Sequence, residues 1–170
     1  MKHQEAEFYD AYLTIIGDSY AEAAQAAHTD LLSSCASQGS VASTSTHTLS
    51  TNTPSSALSS ICGSSCELNV PSGVILTIDS DLDVAGLEVA GTLLWSDSTQ
   101  LQDKASLCSG YIGITGTFQM HISSKTSFVY IKNNGLSHPV LGVRSFGAYQ
   151  MSSEKPEAVF DIKGKEVKRS

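Results

Sequence analysis

The chain has 170 residues, 41% of them apolar, and carries 10 Lys and Arg against 17 Asp and Glu, a formal charge of −7. That length holds one domain with a tail or two, and the charge speaks against nucleic acid, whose phosphates demand clustered cations. No apolar run reaches the roughly 18 residues of a membrane-spanning helix. The N-terminus also lacks the basic-then-apolar pattern of a secretion signal.

Residues 1–34 form the first segment. From residue 5 onward it is rich in Ala, Glu and Gln, and Phe8, Tyr12, Ile15, Ile16 and Tyr20 make a stripe at helical spacing, so a helix is expected. Residues 35–65 are dominated by Ser and Thr with almost no charge. Such a composition offers little surface to bury, and it predicts a linker. From Cys66 to residue 150 the chain turns β. Val74–Ile78 alternates branched residues, and further strands are expected at Leu87–Val89, Thr92–Trp95, Tyr111–Thr115, Thr117–Ile122, Phe128–Lys132 and Val140–Phe146. Gly73, Gly86, Gly91, Gly110, Gly113, Gly116, Gly135, Gly142 and Gly147 punctuate them and are expected to be structural. Residues 151–170 look like the start of a further coil or a tail.

Two stretches repeat one phrase: "LEVAGTLLW" (Leu87 to Trp95) and "IGITGTFQM" (Ile112 to Met120) are both apolar-x-apolar-x-Gly-Thr-apolar, 25 residues apart. A weaker copy, "FDIKGK", matches Phe160, Ile162 and Gly164 to Leu87, Val89 and Gly91. A repeat in the twenties is the mark of stacked coils. The fold class expected is therefore mainly β: a short right-handed parallel β-solenoid (β-helix) with an N-terminal helix capping one end. Leu87 should lie under Ile112 and Val89 under Ile114, with the Gly at a corner. An antiparallel sandwich with similar hairpins is the alternative.

"VPSGVILTIDSDLDVAGLEVAGTLLW", "LCSGYIGITGTFQM" and "YIKNNGLSHPVLGVRSFG" together resemble the G-eight domain, named for its eight glycines, over residues 66–150. That family occurs in fibrocystin and in cell-surface hyaluronidase-like proteins. The resemblance implies an extracellular or cell-surface β-solenoid module linked to polysaccharide, with further β-helix coils of a longer parent protein as neighbours.

Chemistry is sparse. Asp79, Asp81 and Asp83 lack the Gly and Glu of an EF-hand loop, so a solvated turn is expected there. His121 and His138 read as surface residues, no two histidines have zinc spacing, and neither a metal nor a cofactor is expected. Glu88 projects away from Leu87 and Val89, but its equivalent in the next coil is Gly113, so no carboxylate pair for glycoside cleavage is offered. No catalytic residue is named. Cys62 and Cys66 are placed to close a small loop. The four cysteines Cys35, Cys62, Cys66 and Cys108 allow two bridges in three pairings, or four free thiols.

For a glycan, aromatic faces and planar hydrogen-bonding groups single out Arg144, Tyr130, Asn133 and Trp95, with Tyr111, Asn134 and Tyr149 behind them. Arg144 with Lys125 and Lys132 would make a basic spot for a sugar carboxylate. The leading expectation is a non-catalytic carbohydrate-binding module. The alternatives are a fragment of a polysaccharide-degrading enzyme and a structural or protein-interaction spacer. Neither nucleic acid nor membrane insertion is expected.

Overall fold

Alternation decides the strands. Over Thr92–Ser96 and Thr117–His121 every second residue is large and apolar, so one side of each strand must be buried, and the other is polar except at Leu94. The computed structural model describes residues 13–15, 35, 45–101, 103–150 and 158–164. They are mainly β, arranged in parallel sheets.

Three sheets carry the fold. Sheet B contains β2 (Ser45–Thr48), β4 (Cys66–Val70), β7 (Gly86–Val89), β10 (Tyr111–Ile114) and β15 (Ser145–Ala148), all parallel. Sheet C contains β3 (Thr53–Pro54), β5 (Ile75–Thr77), β8 (Thr92–Ser96), β11 (Thr117–His121) and β16 (Val159–Lys163), also parallel. Sheet A contains β6 (Leu82–Asp83), β9 (Lys104–Ser109) and β12 (Thr126–Ile131), with β1 (Leu13–Ile15) antiparallel along the β12 edge. From β4 to β12 the chain visits B, C and A in turn, so each circuit lays its strands beside those of the circuit before. A small hairpin, β13 (Ser137–His138) and β14 (Gly142–Val143), interrupts the last circuit.

The repeated phrase is one sheet and one corner. Leu87 pairs with Ile112 and Val89 with Ile114, as the repeat requires. Gly91 and Gly116 then turn from sheet B into sheet C. A Cβ on Gly91 would run into the carbonyl oxygens of Val74 and Pro71, and one on Gly116 into those of Gly91 and Ala90. Glycine is needed there because successive corners stack backbone on backbone. The third copy belongs elsewhere: Phe160 pairs with Phe118 and Ile162 with Met120, in sheet C. "FDIKGK" shares the alternation of any one-sided strand, and alternation does not specify which sheet.

The core fills the space between the three sheets. Leu68, Leu87 and Ile112 come from B, Leu76, Leu93 and Phe118 from C, and Leu82, Leu107 and Val129 from A. Trp95 is fully buried with its ring 5.5 Å from that of Phe118. It cannot serve as a sugar platform, because the alternation that exposes Leu94 turns Trp95 inward.

Two expectations about the first third change. The Ser/Thr-rich stretch is no linker from Ser45 onward. β2 pairs with β4 and β3 with β5, and Leu49, Leu58 and Cys62 are buried in the main core. Its composition is too poor to make a core alone, but here it needs to cover only one end of a core built by others. The polar groups are satisfied as well. Asp79 accepts hydrogen bonds from Ser55 Oγ (2.9 Å), Ser56 N–H (2.8 Å) and Ser56 Oγ (2.7 Å). Of the segment expected to be helical, Leu13–Ile15 is a strand, at an edge that offers backbone hydrogen bonds. The rest of that segment lies outside the described residues, as do residues 36–44 of the Ser/Thr-rich stretch, whose first residue, Cys35, is buried.

Candidate functional site

Each sheet has an outward face, and the three differ in what lies on them. Sheet A is covered in part. Cys35 is disulfide-bonded to Cys108 of β9, Cα to Cα 6.2 Å, and packs with Phe128 and Tyr130. Tyr130 is therefore 8% exposed and is not available as a ligand contact. Cys62 and Cys66 form the second bridge, as their spacing allows. No described cysteine is free.

The acids of "DSDLD" do not form a cation site. Asp79 caps the turn at Ser55–Ser56, Asp81 Oδ1 accepts the Ser106 N–H at 2.9 Å, and Asp83 is ion-paired with buried Lys132. Burial pushes the Asp79 carboxyl up, but the hydrogen bonds from Ser56 and Ser55 outweigh it and hold the group below its usual range. Each carboxylate ties one circuit to another. Among the described residues no group of three metal-ligating side chains comes together.

Sheet B is closed by two clasps of one design. Tyr111 on β10 reaches across Gly86 on β7 and donates its hydroxyl to Glu67 Oε2 on β4 at 2.7 Å. Tyr149, just beyond β15, reaches across Gly113 on β10 and donates to Glu88 Oε2 on β7 at 2.8 Å. A Cβ on Gly113 would lie 2.8 Å from Glu88 Oε2, 2.8 Å from His138 Nε2 and 2.9 Å from the Tyr149 ring. The hairpin delivers His138, which is 1% exposed and wedged between the Tyr111 and Tyr149 rings at 5.2 and 4.5 Å. Its Nδ1 accepts the N–H groups of Val140 (3.1 Å) and Leu141 (2.8 Å), so the ring proton sits on Nε2. That nitrogen lies 2.7 Å from Glu88 Oε1, though the carboxylate is off the N–H direction.

Burial pushes the Glu88 carboxyl up, helped by the nearby charge of Glu67; the Tyr149 hydrogen bond and His138 oppose it without cancelling it. Both phenols are pushed up by burial and by donating to carboxylates. The clasps went unnoticed in the sequence. Their only trace there was Gly113 at the position equivalent to Glu88, which is room for a ring and not a missing partner. His138, expected at the surface, is buried for the same reason.

Among the described residues, sheet C is the face that no other segment crosses. Its outward rows are Ile75, Thr92, Thr117 and Val159; Thr77, Leu94, Gln119 and Asp161; and Ser96, His121 and Lys163. All keep part of their surface exposed. Among the described residues, the hydrogen bonds of these side chains stay within the sheet or its own turn: His121 Nε2 meets Asp161 Oδ2 at 2.8 Å, and Ser96 meets Ser98 and Thr99. Lys163 Nζ lies 3.5 Å from Asp161. The hydrogen bond with His121 and the charges beside it hold the Asp161 carboxyl low.

The expected basic spot does not assemble. Lys125 and Lys132 lie at opposite ends of β12, which at ~3.3 Å per residue is about 20 Å apart. Lys132 is spent on Asp83, and Lys125 Nζ donates to the Gln100 carbonyl at 2.6 Å. Arg144 and Asn133 are exposed, but with Trp95 and Tyr130 buried the four expected ligand residues share no surface.

No family model matches this chain, and neither a curated protein nor a solved structure is detectably similar to it. Among the described residues no helix is long and apolar enough to cross a membrane.

Proposed function

We propose that this chain is a short right-handed β-solenoid of the eight-glycine type that acts as a non-catalytic carbohydrate-binding module, extracellular or at a cell surface. One observation carries the binding part: sheet C presents in-register rows of Thr, Gln, His and Asp side chains with their surface partly exposed, while the Cys35 bridge packs on sheet A and the tyrosine clasps and His138 hairpin lie over part of sheet B. Two disulfides support the compartment, because such bridges persist where the surroundings are oxidising. The half-exposed Phe160 and Ile162 on β16, the outermost strand of sheet C, would suit a further coil of a longer parent protein.

Tyr111 and His138 are nearly inaccessible, and Glu67 and Glu88 already accept the hydroxyls of Tyr111 and Tyr149, which supports a non-catalytic reading of this group. A glycan array probed with the whole chain tests the proposal. Dose-dependent binding to any glycan class supports it. A well-folded chain that binds none would leave the spacer reading.

A further inference from the structure

The open face also has a charge pattern, and it bears on what kind of glycan fits. Of the side chains in its three rows, only Asp161, Lys163 and, when protonated, His121 carry charge, and Asp161 already faces both of the others. A polyuronate or sulfated chain would need a row of cations, as any polyanion does. Sheet C has one Lys, already beside a carboxylate. The nearby Lys125 is turned to a backbone carbonyl, and Asp97, at the end of β8, would repel an anion.

What the face does have is alternation of hydroxyl, amide and aliphatic groups. Thr92 and Thr117 are neighbours across the strands, as are Leu94 and Gln119, and Ser96 and His121. A pyranose offers the same mixture, hydroxyls around its rim and C–H groups on its faces. The strands repeat every ~4.8 Å, close to the advance of one sugar along an extended chain.

We propose that the outward face of sheet C binds an uncharged, extended pyranose polymer lying across the strands, one sugar to each circuit, with Gln119 and His121 as the central contacts. This rests on the carbohydrate-binding reading above and narrows it, against the acidic polysaccharide that the family resemblance suggests.

The test uses the whole chain on an array of neutral oligosaccharides (cello-, xylo-, manno- and chito-series) beside hyaluronan, pectate and heparin oligosaccharides. Hits are then titrated at low and high salt. The expected result is binding to a neutral series, unchanged between 50 mM and 500 mM salt within about twofold and weakened at least ~10-fold by Gln119→Ala with His121→Ala. The urea midpoint of that double variant should stay that of the parent. Binding only to acidic oligosaccharides, falling with salt, overturns the inference and leaves the carbohydrate module standing. Neutral binding that survives the double variant overturns the assignment to sheet C. Binding to no glycan overturns both readings.

Discussion

Sheets B and C are built from the same repeated phrase, yet their outward faces have opposite fates. On sheet B the outward positions are Glu67, Glu88, Gly113 and Tyr111, and the clasps and the His138 hairpin close over them. On sheet C they are Thr92, Thr117, Gln119 and His121, and among the described residues Gln119 and His121 bond only each other and Asp161 of the same sheet. The difference comes from glycine. Where an outward position has no side chain, a ring from the next circuit can lie flat and reach a carboxylate one strand further on. Where it carries Thr or Gln, that path is blocked. One face is thus clasped across its strands, and the other keeps its contacts within its own sheet and turn among the described residues.

The largest effect should come from the tether on sheet A, the reference for both faces. Replacing Cys35 and Cys108 together by Ser opens a loop of 73 residues of sequence separation, and chain entropy puts the cost at about 4 kcal/mol. Urea unfolding should show it directly, and the same change at Cys62 and Cys66, separated by 4, should cost about half as much.

Next is Gly113→Val, which pushes a branched side chain into Glu88, His138 and Tyr149; a loss of roughly 2–3 kcal/mol is expected, as for overpacked sites. Proteolysis within the hairpin should rise alongside. The matching change on the open face, Gln119→Val, should stay within about 0.5 kcal/mol of the parent. Equal costs for the two would undo the contrast between the faces.

A smaller effect is expected at the turn after β8. Asp97 accepts hydrogen bonds from the N–H groups of Ser123, Ser124 and Lys125 and from Ser123 Oγ. Burial pushes its carboxyl up, but these bonds outweigh it and hold the group well below the carboxylate range. Its stabilisation is therefore present above pH 3.8 and lost as pH falls below that value. Asp97→Asn should cost about 1–2 kcal/mol at pH 7, and a gap that stays constant down to pH 2 would rule out this account.

Glu88 has the opposite sign. Its folded-state carboxyl is raised, so what it contributes is greatest below pH 4.5 and declines as pH rises through the raised value. The difference in melting temperature between the parent and Glu88→Gln should shift in the parent's favour on acidification from pH 7 toward pH 4. A flat difference would mean that burial does not raise the carboxyl.

Much of the stack was legible. The 25-residue repeat alone pairs Leu87 with Ile112 and Val89 with Ile114, because inward apolar residues and corner glycines must recur once per circuit. Resemblance between short strands was weaker guidance. It assigned Phe160 and Ile162 to the face of Leu87, since a period of two is common to every one-sided strand. Composition misled at Ser45–Ser65, where the question was what the segment could bury alone and the answer lay in what it covers.

The sequence by itself determined the β character, the parallel stacking of the repeated strands and the glycine corners, all of which follow from periodicities along the chain. Only the tertiary structure decided which outward positions are shut and which open. That outcome depends on residues 44 and 61 positions apart, Glu67 with Tyr111 and Glu88 with Tyr149, meeting across three strands. No local pattern encodes such a meeting, because the register of one circuit on the next is fixed by the packing of the whole core.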